Sequence, residues 1–196
     1  KAVKNIITSP MFIECHRLSE FNPRGTDVSV ILDLMIHDID IILNLVKSNI
    51  KSIEASGVSV VSKSPDICNA RILFESGCVA NLTSSRISLK KMRKARIFQK
   101  DAYISIDYLL KKVEVVKIKN NSKASNDMPL IIQNAEGEKK QIYFENPPII
   151  KSNAILEELE SFADSIKNNT KPYVSLEEGK NALDIANRII SKINQK

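Results

Sequence analysis

Four polar side chains interrupt an otherwise apolar stretch, VSVILDLMIHDIDIILNL at residues 28–45. They are Asp33, His37, Asp40 and Asn44. Their spacing places them in one narrow stripe of a helix with about 3.6 residues per turn. A surface helix would show a broad face of lysine and glutamate, which this stretch lacks. The pattern predicts a helix that is buried on most sides and that opens one polar line onto a site.

Proton transfer is the chemistry that this line could perform, because histidine changes charge near neutral pH and can act as a general acid or base. His37 is therefore the candidate catalytic group. Asp33, one turn earlier, can orient the imidazole or bind a neighbouring substrate hydroxyl. Asp40 is a candidate to contact the substrate, and the alternative is a structural role in which it holds His37 or caps a loop. The alternative is that His37 is a hydrogen-bonded residue of the core.

Two arginines are candidate ligands for a phosphate or hydroxyl group of a substrate, because a guanidinium donates several hydrogen bonds in one plane. Arg17 lies in the segment MFIECHRL, whose alternation predicts a strand with His16 on the opposite face. Arg86 follows another segment of strand-like alternation. The alternative for both arginines is an ordinary surface salt bridge.

The chain is basic, with a net charge of +6 and a pI near 9.2. The densest basic run is KKMRKAR at residues 90–96, where alternation places Lys91, Arg93 and Ala95 on one side. The run lacks the interleaved aromatic residues that stack on bases, so we do not expect a nucleic-acid partner. Two interpretations stay open: a charged edge strand that resists aggregation, and a basic rim that attracts an anionic substrate.

The composition is that of an ordinary globular protein, with 43% hydrophobic and 27% charged residues among 196. Charged groups within the longest apolar stretch argue against a membrane span. Cys15, Cys68 and Cys78 form no C-x-x-C pair and have no histidine at metal-binding spacing. We therefore expect buried free thiols, no metal site and a location in the reducing cytoplasm.

Alternating apolar residues predict that a sheet forms the middle of the chain. Short turns at residues 64–65 and 100–101 connect consecutive strands, as in an antiparallel meander. A loop over residues 19–27 leads from the first strand to Asp27, the predicted N-cap of the polar helix. The predicted strands are MFIECHRL, IKSIEASGVSVV, ICNARILFE, CVANLTSSRIS, ARIFQKD, AYISIDY, KVEVVKI and KKQIYFENPP.

Two helices close the chain in this interpretation. Residues 152–167 form the first, and Ser175 with Glu178 makes a capping box for the second. Residues 1–8 are interpreted as the end of a helix and residues 119–130 as a polar loop. The first closing helix has one apolar stripe, made of Ile155, Leu159, Phe162 and Ile166. One buried helix, a large sheet and C-terminal helices predict an α+β fold.

The polar helix and its flanking segments resemble the C-terminal domain of the Gfo/Idh/MocA family, named for glucose-fructose oxidoreductase, inositol dehydrogenase and rhizopine catabolism. Asp33, His37 and Asp40 stand at the family's D-x-x-x-H motif and at the aspartate three residues after it. SPMFIECHRL resembles the first strand after the cofactor domain, and LEELESFADSIKNNTKPYVSLEEGKNALDIANRII the closing segment. The resemblance covers nearly the whole chain. It implies a large, mostly antiparallel open sheet packed on one face by helices, as in the C-terminal domain of glyceraldehyde-3-phosphate dehydrogenase.

The resemblance also implies an activity, the oxidation of a secondary sugar hydroxyl with NAD or NADP. In the family, His37 would be an acid/base or substrate-orienting group that shares the proton with the lysine of an E-K-P motif. This sequence has neither that lysine nor the glycine-rich turn of a Rossmann domain. Residues 1–196 are thus predicted to be a single substrate-binding and oligomerisation domain, inactive without the absent N-terminal domain that binds the cofactor.

Within the family, DVSVILDLMIHDIDIIL and RIFQKDAYISIDY are similar to the branch that acts on UDP-N-acetylglucosamine and related nucleotide sugars at the 3-hydroxyl. Such a substrate would suit a basic rim. The resemblance further implies a dimer or tetramer through the open face of the sheet, which should then be apolar. Candidates for that face are Val58, Val60, Ile72, Phe74, Val79 and Ile97. The alternative function is a noncatalytic dimerisation or interaction module, in which the polar line would be sealed inside the protein.

Overall fold

The computed structural model describes residues 3, 5–119, 130–133, 135, 137–150 and 152–195. Within these residues, nine strands form one sheet: β1 Phe12–Leu18, β2 Ile50–Val58, β3 Ile67–Phe74, β4 Val79–Ser85, β5 Met92–Gln99, β6 Ala102–Asp107, β7 Lys112–Lys119, β8 Leu130–Gln133 and β9 Lys139–Glu145. The helical segments are a π-helical turn at Ile31–Met35 and the α-helices α1 Ile36–Leu45, α2 Ala154–Lys167 and α3 Leu176–Asn194. The predicted loop at 119–130 lies almost wholly outside the described residues. Strand β8 was not predicted.

The strand order in the sheet is β2-β3-β4-β1-β5-β6-β7-β9-β8. Neighbouring strands are antiparallel except β1 and β4, which run parallel. The predicted α+β class with a mostly antiparallel sheet is confirmed. The charged edge-strand interpretation of residues 90–96 is wrong, because β5 lies inside the sheet between β1 and β6.

One face of the sheet packs against helices and forms the core. Alternation in β1 directs Ile13, Cys15 and Arg17 toward this face, where all three are buried. Helix α3 packs across β2, and α1 lies against α3, β1 and β4. The core also contains Ile72, Phe74 and Ile97, which are fully buried. The prediction that these three could supply the open face is therefore wrong, since their register places them on the helix side.

The open face of the sheet carries both polar and apolar side chains, including one aromatic cluster. The rings of Phe12 and Phe98 are 5.9 Å apart between centroids, and those of Phe98 and Tyr103 are 4.9 Å apart. Around them, Glu14 forms an ion pair with Arg96 at 2.6 Å. The open face therefore presents aromatic rings among paired charges, together with aliphatic side chains that include Val58 and Val79 of the predicted set.

The polar helix begins later than predicted, and its first turn is unusual. Asp27 is exposed and lies outside the helix, so its prediction as the N-cap is wrong. Instead, the hydroxyl of Ser29 accepts a weak hydrogen bond of 3.4 Å from the backbone N–H of Leu32. The next residues, Ile31–Met35, wind as a π-helix before α1 continues as a regular α-helix. Single π-helical turns of this kind are frequent at functional sites.

The two closing helices differ in how they pack. The predicted capping box of α3 is confirmed: Ser175 Oγ accepts from the Glu178 N–H, and the Glu178 carboxylate accepts from the Ser175 N–H. By contrast, α2 makes no extensive contact with another described element. Its predicted apolar stripe is present but more than half exposed, with Ile155 70%, Leu159 62%, Phe162 55% and Ile166 68% accessible. None of the described helices is both long and apolar enough to span a membrane.

The N-terminal segment forms a single turn in its described part. The backbone N–H of Ile7 donates to the carbonyl of Val3 at 3.1 Å, and the chain then passes through Pro10 into β1. A helix end over residues 1–8 was predicted, and residues 1, 2 and 4 of it lie outside the described part. In the described part, one turn takes the place of a continuous helix.

Candidate active site

The polar line on α1 and the preceding turn is accessible along its length. Asp33, His37 and Asn44 are exposed, and Asp40 is half-buried. The apolar residues of the same helical segment face inward, and Ile31, Met35, Ile39 and Ile42 are fully buried. The alternative interpretation of His37 as a core residue is therefore wrong. Its catalytic role and that of Asp33 stay predictions.

Asp40 connects the line to the N-terminus of α3. Burial raises the pKa of the Asp40 carboxyl above its usual value, and the nearby Glu178 carboxylate raises it further. The opposing influences that lower this pKa are His37 and a hydrogen bond of 3.2 Å from the Asn44 amide. Asp40 is thus an acidic group within electrostatic reach of His37. Whether it binds substrate stays a prediction.

A buried ion pair involves Asp38, the residue that follows His37 in the helix. Arg17 on β1 donates two hydrogen bonds to Asp38 on α1, from Nη2 to Oδ1 at 2.7 Å and from Nε to Oδ2 at 3.0 Å. The two side chains are only 10% and 4% exposed. This two-point contact holds the turn of α1 that contains His37 against the centre of the sheet. The predicted role of Arg17 in substrate binding stays a prediction, and the contacts described here give it a structural role.

Asp38 did not enter the sequence-based prediction, although the sequence contains a signal for it. It follows His37 directly and therefore points about 100° away around the helix, among apolar residues. A carboxylate in such a position needs a cationic partner. The alternation of β1 places Arg17 on the buried face, so a pairing between the two was open to inference.

Arg86 is also buried, and its guanidinium hydrogen-bonds backbone carbonyls in the segment that precedes the polar helix. Its Nη1 donates to the carbonyl of Gly25 at 2.9 Å, and its Nη2 donates to the carbonyl of Val28. Its Nε lies 3.7 Å from Oδ1 of Asp66, which is fully buried. The prediction that Arg86 binds a phosphate or hydroxyl stays a prediction, and the contacts described here give it a positioning role.

The Asp66 carboxylate makes the chain sensitive to acid. Burial alone would raise the pKa of Asp66, but the backbone N–H groups of Ser62, Val60 and Val61 together hold it well below its usual value. Such a group stabilises the fold above its unfolded-state pKa of about 3.9, and this contribution is lost as the pH falls toward the lower folded-state pKa.

We therefore expect the free energy of unfolding to decrease progressively below about pH 4. The variant Asp66→Asn should be less stable than the parent at pH 7 and should show a smaller further loss between pH 5 and pH 3. Urea denaturation at each pH measures both quantities. An equal loss of stability in the two proteins over this range would contradict the assignment.

A large open cleft borders the C-terminal end of the polar line. Its volume is about 1090 Å³. It lies where α1 ends, between the segment before β1 and the N-terminus of α3, and its polar lining includes Asp40, Asn44, Lys47, Tyr173 and Glu178. The polar line of α1 therefore leads into a space that a small polar ligand could occupy.

The cysteines take no part in this site. All three are buried and free, as predicted. Burial raises the pKa of Cys78 to about 11 and that of Cys68 to about 12, so both thiols are protonated at neutral pH. No cluster of three or more metal-ligating side chains occurs among the residues that the structure describes.

Comparisons with known proteins give the site a context. Residues 11–105 match the family model of the GFO/IDH/MocA C-terminal domain. Over 101 residues, which is 52% of this chain and 32% of the relative, the sequence is 41% identical to UDP-N-acetylglucosamine 3-dehydrogenase of Acidithiobacillus ferrooxidans. A solved structure of that enzyme aligns with a TM-score of 0.81 and 27% identity. The alignment covers 95% of this chain and 55% of the enzyme's chain.

A more distant structure shows that the fold is shared more widely. Levoglucosan dehydrogenase in complex with NADH aligns with a TM-score of 0.76 at 15% identity, over 99% of this chain and 60% of that one. The chain thus spans about a third of the curated relative and little more than half of the solved structures. The polar line lies within the segment that matches the family model. By sequence over residues 11–105 and by fold over nearly its whole length, the chain matches the C-terminal domain of the Gfo/Idh/MocA family of oxidoreductases.

Proposed function

We propose that this chain is the substrate-binding half of an NAD(P)-dependent dehydrogenase that oxidises a secondary hydroxyl of a nucleotide sugar. The accessible line of Asp33, His37 and Asp40, on a helix whose other sides are buried, is the observation that supports this most directly. The identity of 41% to an enzyme named for UDP-N-acetylglucosamine supports the choice of a nucleotide sugar.

Each residue of the line has a distinct task in this proposal. Oxidation of a secondary alcohol removes a hydride from carbon and a proton from oxygen, and His37 accepts the proton as a general base. Asp33 hydrogen-bonds an adjacent hydroxyl and orients the ring. Asp40 contacts the substrate at the entrance of the cleft. Nicotinamide supplies the redox chemistry, and this chain's share is to hold the hydroxyl and take its proton.

The described residues of this chain do not fit a dinucleotide. A Rossmann domain holds the pyrophosphate of a dinucleotide at a glycine-rich turn that begins a helix, between two parallel strands. None of the five glycines in the sequence stands in a G-x-G-x-x-G motif. We propose that NAD or NADP is held mainly by an N-terminal domain outside this chain and that residues 1–196 form one domain, inactive alone. The exposed apolar stripe of α2 would suit packing against a further domain.

We further propose that the protein is a cytoplasmic homo-oligomer that associates through the open face of the sheet. The aromatic cluster of Phe12, Phe98 and Tyr103 on that face would form the centre of the interface. The buried, reduced thiols suit the cytoplasm.

The noncatalytic interaction module is the second candidate function. It predicted a polar line that is sealed inside the protein, whereas Asp33, His37 and Asn44 are exposed in this chain. A function without catalysis gives no reason for an accessible histidine between two acidic residues on an otherwise apolar helix. The catalytic proposal is therefore the better supported of the two.

Activity and binding measurements on the full-length protein and on this chain test the proposal. The full-length protein should reduce NAD or NADP in the presence of UDP-N-acetylglucosamine, and the isolated chain should not. Calorimetric titration of the chain with UDP-N-acetylglucosamine should give weak, saturable heat. A full-length protein that binds neither a cofactor nor a nucleotide sugar would contradict the proposal and favour the noncatalytic module.

A further inference from the structure

The basic run at residues 90–96 is divided between the two faces of the sheet. On the open face, Lys94 lies 3.3 Å from the carboxylate of Asp107, and Arg96 lies 2.6 Å from that of Glu14. These two cations are therefore already neutralised by acidic side chains. Their charge gives no reason to expect an anionic ligand on the open face.

The helix-side face of the same strand is different. Arg93 alternates with Ala95 and Ile97, which are buried on the helix side, so its side chain leaves the strand toward that face. It is exposed, and in the described part of the chain it forms no ion pair and no side-chain hydrogen bond. An unpaired guanidinium is thus available on the side of the sheet that contains the polar line.

Arg93 also lies beside the ion pair that supports His37. In the sheet, Arg93 is directly opposite Arg17 on the neighbouring strand β1. Arg17 is itself paired with Asp38, the residue that follows His37. Arg17 is therefore neutralised by the buried carboxylate of Asp38, whereas Arg93 is exposed and has no partner among the described residues.

Tyr108 lies at the same end of the sheet as Arg93. Its backbone N–H donates to the carbonyl of Arg93 at 2.9 Å. Burial raises the pKa of its hydroxyl, and the charge of Asp38 raises it further, which places its ring close to the Arg17–Asp38 pair. The tyrosine stays neutral, so it does not compensate the charge of Arg93.

We propose that Arg93 binds the diphosphate of the nucleotide-sugar substrate, an inference that rests on the function proposed above. A guanidinium can donate two parallel hydrogen bonds to phosphate oxygens, and this geometry is stronger and more selective than a single contact. The diphosphate is attached to the anomeric carbon, so a group that binds it must lie to the side of the general base, across the sugar ring. Arg93 lies opposite Arg17 in the sheet, and Arg17 is paired with Asp38, the residue next to His37, so Arg93 and His37 each adjoin one member of the same buried ion pair.

The test uses the full-length protein, with UDP and UDP-N-acetylglucosamine as the probes. The variant Arg93→Gln should raise the dissociation constant of UDP, and the KM of the nucleotide sugar, by about 10-fold to 100-fold, as expected for the loss of a charge-assisted hydrogen bond. Its kcat and its KM for the dinucleotide should change less than about threefold, because Arg93 touches neither the reacting hydroxyl nor the cofactor. Arg93→Lys should recover part of the affinity.

The matched control is Arg96→Gln, which removes the same side chain from the same strand on the opposite face. It should leave UDP binding unchanged, and Arg93→Gln should melt within about 2 °C of the parent, as is usual for exposed positions. If the parent binds UDP and Arg93→Gln binds it equally well, the role of Arg93 is overturned while the proposed function stands. If the parent binds no UDP at all, the nucleotide-sugar substrate and the role of Arg93 are overturned together.

Discussion

Replacing Asp38 by alanine should lower the free energy of unfolding of this chain by about 3–5 kcal/mol, because the change leaves the Arg17 guanidinium buried without a counter-charge. The geometry supports so large an effect: the contact is bidentate, and the arginine side chain is 10% exposed. Urea denaturation followed by circular dichroism at pH 7 measures the difference. Arg17→Ala should also be destabilising, because it leaves the Asp38 carboxylate buried without a counter-charge.

A double replacement separates the pair from the packing around it. Arg17→Met with Asp38→Leu removes both charges and keeps the approximate shapes of the two side chains, and it should be far less destabilising than either alanine variant, since a buried pair is often worth no more than an apolar contact. With the single variants Arg17→Met and Asp38→Leu it completes a double-mutant cycle, in which the difference between the summed single effects and the double effect gives the coupling energy. A loss below about 1 kcal/mol for Asp38→Ala would mean that Arg17 finds water or another acceptor.

The second large effect is expected in catalysis. In the full-length protein, His37→Ala should reduce kcat/KM for the sugar about 10²-fold to 10⁴-fold, the usual contribution of a general acid or base. The fold should be unaffected, because the side chain is exposed. Steady-state kinetics over a range of pH make the measurement.

The chain contains one other histidine, which provides the control. His16 lies on the open face of β1, on the opposite side of the strand from Arg17. His16→Ala should retain the activity and the pH profile of the parent. If His37→Ala kept most of its kcat/KM, the proton-transfer role of His37 would be untenable, whereas the family assignment, which rests on sequence and fold, would stand.

Local patterns in the sequence predicted most of the elements correctly. The period-two segments became strands because alternation is a property of the strand backbone itself. The capping box at Ser175 and Glu178 formed because its hydrogen bonds join residues three positions apart. The line of Asp33, His37 and Asp40 is accessible for the same kind of reason, because helical spacing alone brings these residues together.

Features that depend on distant residues were predicted less well. The interior position of β5 is decided by β1, which pairs with it across more than 70 residues of sequence. The same pairing decides on which face of the sheet Ile97 lies, so its assignment to the open face was incorrect. The polar helix begins late because tertiary contacts, and not the local sequence alone, determine whether the chain enters the helix near Asp27 or near Ser29. One of these is the bond from the Val30 N–H to the carbonyl of Pro65.

The central position of β1 has a consequence for how the chain reaches its native state. The hairpins β2–β3–β4 and β5–β6–β7 can each form from neighbouring residues, but they become one sheet only when β1 enters between them. On the ribosome, β1 is synthesised before both three-stranded groups, and it stays unpaired until both have been made. Loop closure over such separations is slow, so the docking of β1 should come late in folding and set its rate. Until then, the edges of β4 and β5 are exposed, and an intermediate at this stage would be the form most prone to self-association.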